Sequence, residues 1–104
     1  MTGVHSNHNA AYDLLAQGFI TAIESYERGE INSRGLVQLA QQISTPEEVD
    51  QMGDELLSHT FWAMRHLVQR PACWAPTPAE LRYLLRCLRG EEVFSLEIAE
   101  SFRQ

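Results

Sequence analysis

A chain of 104 residues, 44% of them hydrophobic and 21% charged, with a formal net charge of −6, describes one domain able to bury a core without a metal or disulfide staple. All eight basic residues are arginine, which excludes a lysine Schiff base and a P-loop lysine, and the acidic total disfavours nucleic acid and anionic membrane as partners. No apolar run approaches about eighteen residues and no basic-then-apolar leader opens the chain, so neither a membrane span nor a signal peptide is expected and the expected location is the cytoplasm.

Residues 1–9 hold glycine, serine, two asparagines and two histidines, with Val4 the one apolar residue after Met1, and read as a flexible N-terminal tail. The rest, 10–104, reads as a single helical domain. From Ala10 to Arg28, Tyr12, Leu15, Phe19, Ala22 and Tyr26 recur at helical spacing, supported by Ala11, Leu14 and Ile23. That is a helix packing along its length, with Gly18 marking a close helix approach and Gly29 the stop. Ile31 folds back as the contact of that cap, and Asn32 or Ser33 opens a short second helix to Ile43 with Leu36, Leu39, Ala40 and Ile43 buried.

Thr45-Pro46-Glu47-Glu48 is a capping box, with a hydroxyl at the N-cap, proline at the first helical position and glutamate three residues on. The spacing after it predicts one long central helix from Thr45 to Arg70. Its apolar side is Val49, Met52, Gly53, Leu56, Leu57, Thr60, Phe61, Ala63, Met64, Leu67 and Val68, wide enough for several neighbours. Glu55, His59, Trp62 and His66 form a stripe on the other side. The prolines of residues 71–78 then demand a stiff extended crossover, from which Cys73 and Trp74 are expected to plug the core. Thr77-Pro78-Ala79-Glu80 repeats the capping box, and the fourth helix buries Leu81, Leu84, Leu85 and Leu88 before Gly90 ends it. A short fifth helix from Ser95 aligns Leu96, Ala99 and Phe102. The fold class that follows is all-α, a compact bundle of four main helices with a short fifth at the C-terminus.

Two cysteines in no short pair, Cys73 and Cys87, read as reduced and structural. No zinc-type ligand pair occurs, and His59 and His66 lie about 10 Å apart along one helix, too far to converge on an ion. No metal or cofactor is therefore expected, and no catalytic set. An enzymatic or ligand-binding role using His59, His66 and Cys73 is the weaker alternative, which a deep polar pocket would favour. Arg82, Arg86 and Arg89 share one strip of the fourth helix, placed either to hold anionic groups of a partner or to pair with the acidic first half of the chain. Residues 1–57 carry nine carboxylates and two arginines, residues 58–104 five and six.

The stripe of Glu55, His59, Trp62 and His66 is the better candidate interaction surface, because an outward tryptophan needs cover from its own chain, a second copy or a partner. The expected function is protein–protein interaction or self-association as a homodimer. The acidic helical character and the stretch from Leu14 to Ser33, ending in Gly29-Glu30-Ile31, resemble small bacterial immunity proteins that neutralise nuclease toxins. The resemblance covers less than a third of the chain, carries no specific motif and identifies no family; it implies a toxin-neutralising alternative in which the acidic bundle blocks a basic toxin.

Overall fold

A computed structural model describes residues 10–68 and 75–103. The expected tail at 1–9 and the Cys73–Trp74 plug lie outside the described residues. The elements, in chain order, are α1 (Ala10–Glu27), α2 (Ser33–Ile43), α3 (Pro46–Met52), α4 (Glu55–Arg65), a 3-10 turn (His66–Val68), α5 (Pro78–Leu88) and α6 (Leu96–Ser101). The protein is all-α, a helical bundle. α4 sits at its centre, in contact with α1, α2, α3 and α5, while α1 also packs on α2 and α5, and α6 on α5. One continuous core joins Phe19 and Ile23 of α1, Leu36 of α2, Val49 of α3, Leu57, Phe61 and Met64 of α4, Leu81 and Leu84 of α5 and Ala99 of α6.

Side-chain caps fix the helix starts. Asn32, Thr45, Asp54, Thr77 and Ser95 each accept a hydrogen bond from the backbone N–H three residues on, satisfying donors that the first turn leaves open. The ends of α1 and α5 share one device. Glu30 N–H donates to Ser25 O and Gly29 N–H to Tyr26 O, and Glu91 N–H donates to Arg86 O and Gly90 N–H to Cys87 O. This six-to-one and five-to-two pairing needs a left-handed residue at the turn, supplied by Gly29 (φ 77°) and Gly90 (φ 81°). The short link that follows α1 folds α2 back beside it. There the backbone of Gly18 lies so near α2 that an added Cβ would stand 3.1 Å from Ile43 Cγ2.

Leu39 and Ile43 of α2, expected to be buried, are only partly so, and the structure differs from the sequence reading in two larger ways. The expected central helix, Thr45 to Arg70, is two helices: Gly53 takes a left-handed conformation (φ 64°) that ends α3, and Asp54 starts α4 by accepting from Leu57 N–H at 2.9 Å. A glycine stop beside an aspartate cap overrides a continuous apolar periodicity. α4 itself ends at Arg65, before the 3-10 turn, and Gly53 and Val68, assigned to the buried face, are exposed. The second difference is in α1, where the buried line is Tyr12, Ala16, Phe19 and Ile23, so Leu14, nearly 200° from Tyr12 around the axis, is 77% exposed.

Candidate interaction groove

The break at Gly53 and Asp54 creates the site. On one straight helix Pro46 and Trp62 would stand about 24 Å apart at 1.5 Å per residue. Because α3 instead turns back against α4, Pro46, Glu47, Val49, Asp50, Ser58 and Trp62 line one depression. It continues into a groove of about 490 Å³ reaching Asp54, Glu55, His59 and Leu96. The elements thus divide the work: α3 supplies an acidic wall, α4 supplies the tryptophan, and the first residue of α6 closes one end.

Trp62 is 38% exposed. Its ring meets Phe61 edge-on at 5.4 Å and His66 at 5.6 Å between centroids, and the Arg65 guanidinium lies 5.4 Å from the ring centre. These neighbours hold the indole in one orientation, and the Arg65 contact is itself a cation–π pairing. Around it stand four carboxylates. Asp54 is engaged as the α4 cap, whereas Glu47, Asp50 and Glu55 have no ion-pair partner among the described residues. The groove therefore combines an aromatic ring with three carboxylates that have no ion-pair partner among the described residues.

The candidate stripe divides between this groove and the interior. Glu55, His59 and Trp62 line the groove, and His66 packs behind Trp62. Burial, followed by the charges of Arg103 and Arg65, holds the His66 imidazole below its ordinary pKa, so it is favoured as a neutral ring. His59 is only 13% exposed; its Nε2 lies 2.7 Å from Glu80 Oε2, and its ring is 5.5 Å from that of Phe94. The base of the groove is thereby tied to α5.

Glu80 is the residue that the sequence reading assigned to a different task. As the third residue of α5 it was expected to reach back to its own N-cap. Its backbone N–H does donate to Thr77 Oγ1 at 3.1 Å, but its carboxylate, fully buried, accepts from Arg103 Nε at 2.6 Å and Nη2 at 3.0 Å as well as pairing with His59. Burial pushes this carboxyl up, and the hydrogen bonds and charges of His59 and Arg103 pull it down by more, leaving it below the usual carboxylate pKa. A clamp beside it fastens the end of the chain: Tyr83 Oη donates to Val93 O at 3.1 Å and accepts from Ser95 N–H at 2.9 Å, bracing the loop into α6. Neither Glu80 nor Arg103 stood out in the sequence, where each is one charged residue among many; the second Thr-Pro-x-Glu box was the only nearby signal.

The arginine strip is engaged within the molecule. Arg82 lies 3.5 Å from Glu27, Arg89 pairs with Glu24, and Arg86 pairs with Glu92. Two of the three ion pairs join α5 to α1, matching the charge asymmetry of the two halves, although exposed pairs of this kind contribute little to stability. Of the weaker catalytic set, His59 is held by Glu80, His66 lies against Trp62, and Cys73 falls outside the described residues. Cys87 is a buried free thiol on α5. Among the described residues no helix is long and apolar enough to cross a membrane, and no three His, Cys, Asp or Glu side chains gather as metal ligands. No protein-family model matches the chain, and no significant match is found among curated proteins or among solved structures.

Proposed function

We propose that this protein acts without catalysis, by binding a basic segment of another protein in the Trp62 groove. The observation that carries the reading is the juxtaposition of a part-exposed indole with Glu47, Asp50 and Glu55, three carboxylates without ion-pair partners among the described residues. An arginine or lysine seated there gains a cation–π contact of about 0.5–2 kcal/mol together with charge pairing, and a negative rim speeds encounter with a positive partner. Leu96, 40% exposed at the groove's end, offers an apolar seat for a flanking residue. Masking the basic working surface of a toxin is one form that such binding takes.

The test is titration of a short peptide alternating arginine and leucine, followed by calorimetry and by backbone amide shifts. Wild-type shifts are expected to concentrate in residues 46–62. Trp62→Ala, at a part-exposed site and checked for folding by circular dichroism, is expected to weaken binding roughly tenfold, about 1.4 kcal/mol. Asp50→Asn with Glu55→Gln is expected to weaken it further at low salt and to flatten its salt dependence. Shifts spread evenly over Glu24, Glu91 and Glu92, with affinity unchanged in Trp62→Ala, would overturn the reading.

A further inference from the structure

A second face, built by α1 and α2, has the opposite chemistry. Two depressions of about 480 and 400 Å³ adjoin there, both lined by Leu14 and Ile43. One runs on to Leu15 and Met52, the other to Gly18 and Leu39. Leu14 stands between them, 77% exposed. The second depression exists because position 18 has no side chain: a Cβ there would press to 3.1 Å from Ile43. Among the described residues, the polar ones around the two are Gln17, Thr21 and Gln51, all uncharged, and the single charged one is Glu48, whose carboxylate accepts from the Ser44 hydroxyl at 3.0 Å.

We propose that this face is the seam of a symmetric homodimer, in which Leu14 of each copy seats in the Gly18–Leu39–Ile43 depression of the other. Two observations choose a second copy as the occupant. The first is self-complementarity: a projecting leucine and a vacant apolar hollow lie side by side on one helix, so a two-fold axis brings knob to hollow twice with one set of residues. Ala11, Leu14, Gly18 and Thr21, at spacings of three, four and three, form the kind of strip along which two helices mesh. The second is charge. Copies carrying −6 each repel across most of their surfaces, and this nearly neutral face is where they approach at least electrostatic cost. A basic partner finds one carboxylate here, Glu48, against three in the Trp62 groove that have no ion-pair partner among the described residues, and is drawn to that groove instead.

The expected dimer is weak. α1 is about 27 Å long and α2 about 16 Å, each presenting a strip about 9 Å wide, so the pair covers roughly 800 Å², below the size of a stable specific interface and in keeping with a weak one. The experiment is sedimentation equilibrium from about 1 μM to about 1 mM, where this interface class is populated. Wild type is expected to rise from 11.8 kDa towards twice that mass. Leu14→Asp and, independently, Thr21→Arg are each expected to raise the dissociation constant at least tenfold; both sites are exposed, and circular dichroism verifies folding. Trp62→Ala is expected to dimerise like wild type, which separates this seam from the groove. A wild type that stays monomeric throughout overturns the proposal and leaves the face to a different occupant. So does a dimer that survives Leu14→Asp, or one that Trp62→Ala abolishes.

Discussion

Two stretches of this chain begin with the same four-residue device and put its last residue to opposite uses. Thr45-Pro46-Glu47-Glu48 and Thr77-Pro78-Ala79-Glu80 each start a helix with a threonine that accepts from the third backbone N–H, at 3.1 Å in both cases, and with proline at the first position. Neither glutamate side chain takes the return bond of a full capping box. Glu48 stays exposed and accepts from the Ser44 hydroxyl. Glu80 is buried between His59 and Arg103. The shared part of the device is local, a hydroxyl and a ring that set where a helix starts; the part that differs is decided by what the rest of the fold brings alongside.

The comparison is broken most forcefully at Glu80. Glu80→Gln keeps the shape and removes the charge, leaving Arg103 without its counter-ion and His59 without the carboxylate it pairs with. Breaking a buried pair by removing one partner costs about 3–5 kcal/mol, much of it for the charge left behind. Arg103, 26% exposed, recovers some hydration, so a loss of about 3 kcal/mol is expected, measured by urea unfolding at neutral pH. A loss below about 1 kcal/mol would show that the three groups are not coupled.

The same residue sets an acid limit. The folded-state pKa of Glu80 lies below its ordinary value, so the unfolded chain binds its proton first as pH falls. The stabilisation is complete above the unfolded carboxyl pKa, about 4.3, and is lost as pH drops through the lower folded value. In Glu80→Gln the fall in stability below about pH 4.5 is expected to be shallower than in wild type, read as unfolding midpoints across pH. His66, also held below its ordinary pKa, works in the same direction at a higher range, with stability falling as pH drops from about 6.5. His66→Asn is expected to flatten that upper limb and to leave the lower one in place.

How far the fold could be read in advance follows the same division between local and distant causes. α5 at Pro78–Leu88 was legible to the residue at its start, and α2 at Ser33–Ile43 to within one residue, because the signals for their caps and stops are local. α6 was legible from Ser95 and the spacing of Leu96, Ala99 and Phe102. Gly53-Asp54 was just as explicit a stop and start, but a periodic apolar face ran through it and outweighed it, and with the break went the groove that α3 makes beside Trp62. Leu14 was placed inward because it is apolar, whereas the buried line uses the smaller Ala16. The outward direction of Trp62 could be read from spacing alone. Glu80 could not be foreseen in its role, since its partners lie 21 and 23 residues away and no local pattern links them.

The helices that follow the two devices also differ, seven residues in α3 against eleven in α5, and Gly53 sets the shorter one. No atom would crowd a Cβ at Gly53, so the cost of Gly53→Ala is conformational, about 1 kcal/mol for holding alanine in the left-handed region. Chemical unfolding is the check. The substitution also favours continuation of α3 into α4, which would swing the acidic wall away from Trp62. Its indole emission is expected to shift to longer wavelength relative to Trp62→Ala controls. A stability change near zero would mean that the break is held by packing and by Asp54 rather than by the glycine.

The smallest expected effect is the strictest control. Glu48→Gln leaves the Thr45 cap and the proline intact, and glutamine's carbonyl can still accept from the Ser44 hydroxyl. Its site is exposed, so no charge is stranded in the interior, and changes at such positions stay within about 0.5 kcal/mol. Measured beside Glu80→Gln, the same chemical change at the same helix position of the same four-residue device then differs by about 2.5 kcal/mol or more through burial alone. Equal losses at the two sites would assign the effect to helix initiation, since the positive end of a helix favours either carboxylate by only about 0.3–1 kcal/mol near the surface, and would remove the buried Glu80 pairing as the tie between α4, α5 and the C-terminal Arg103.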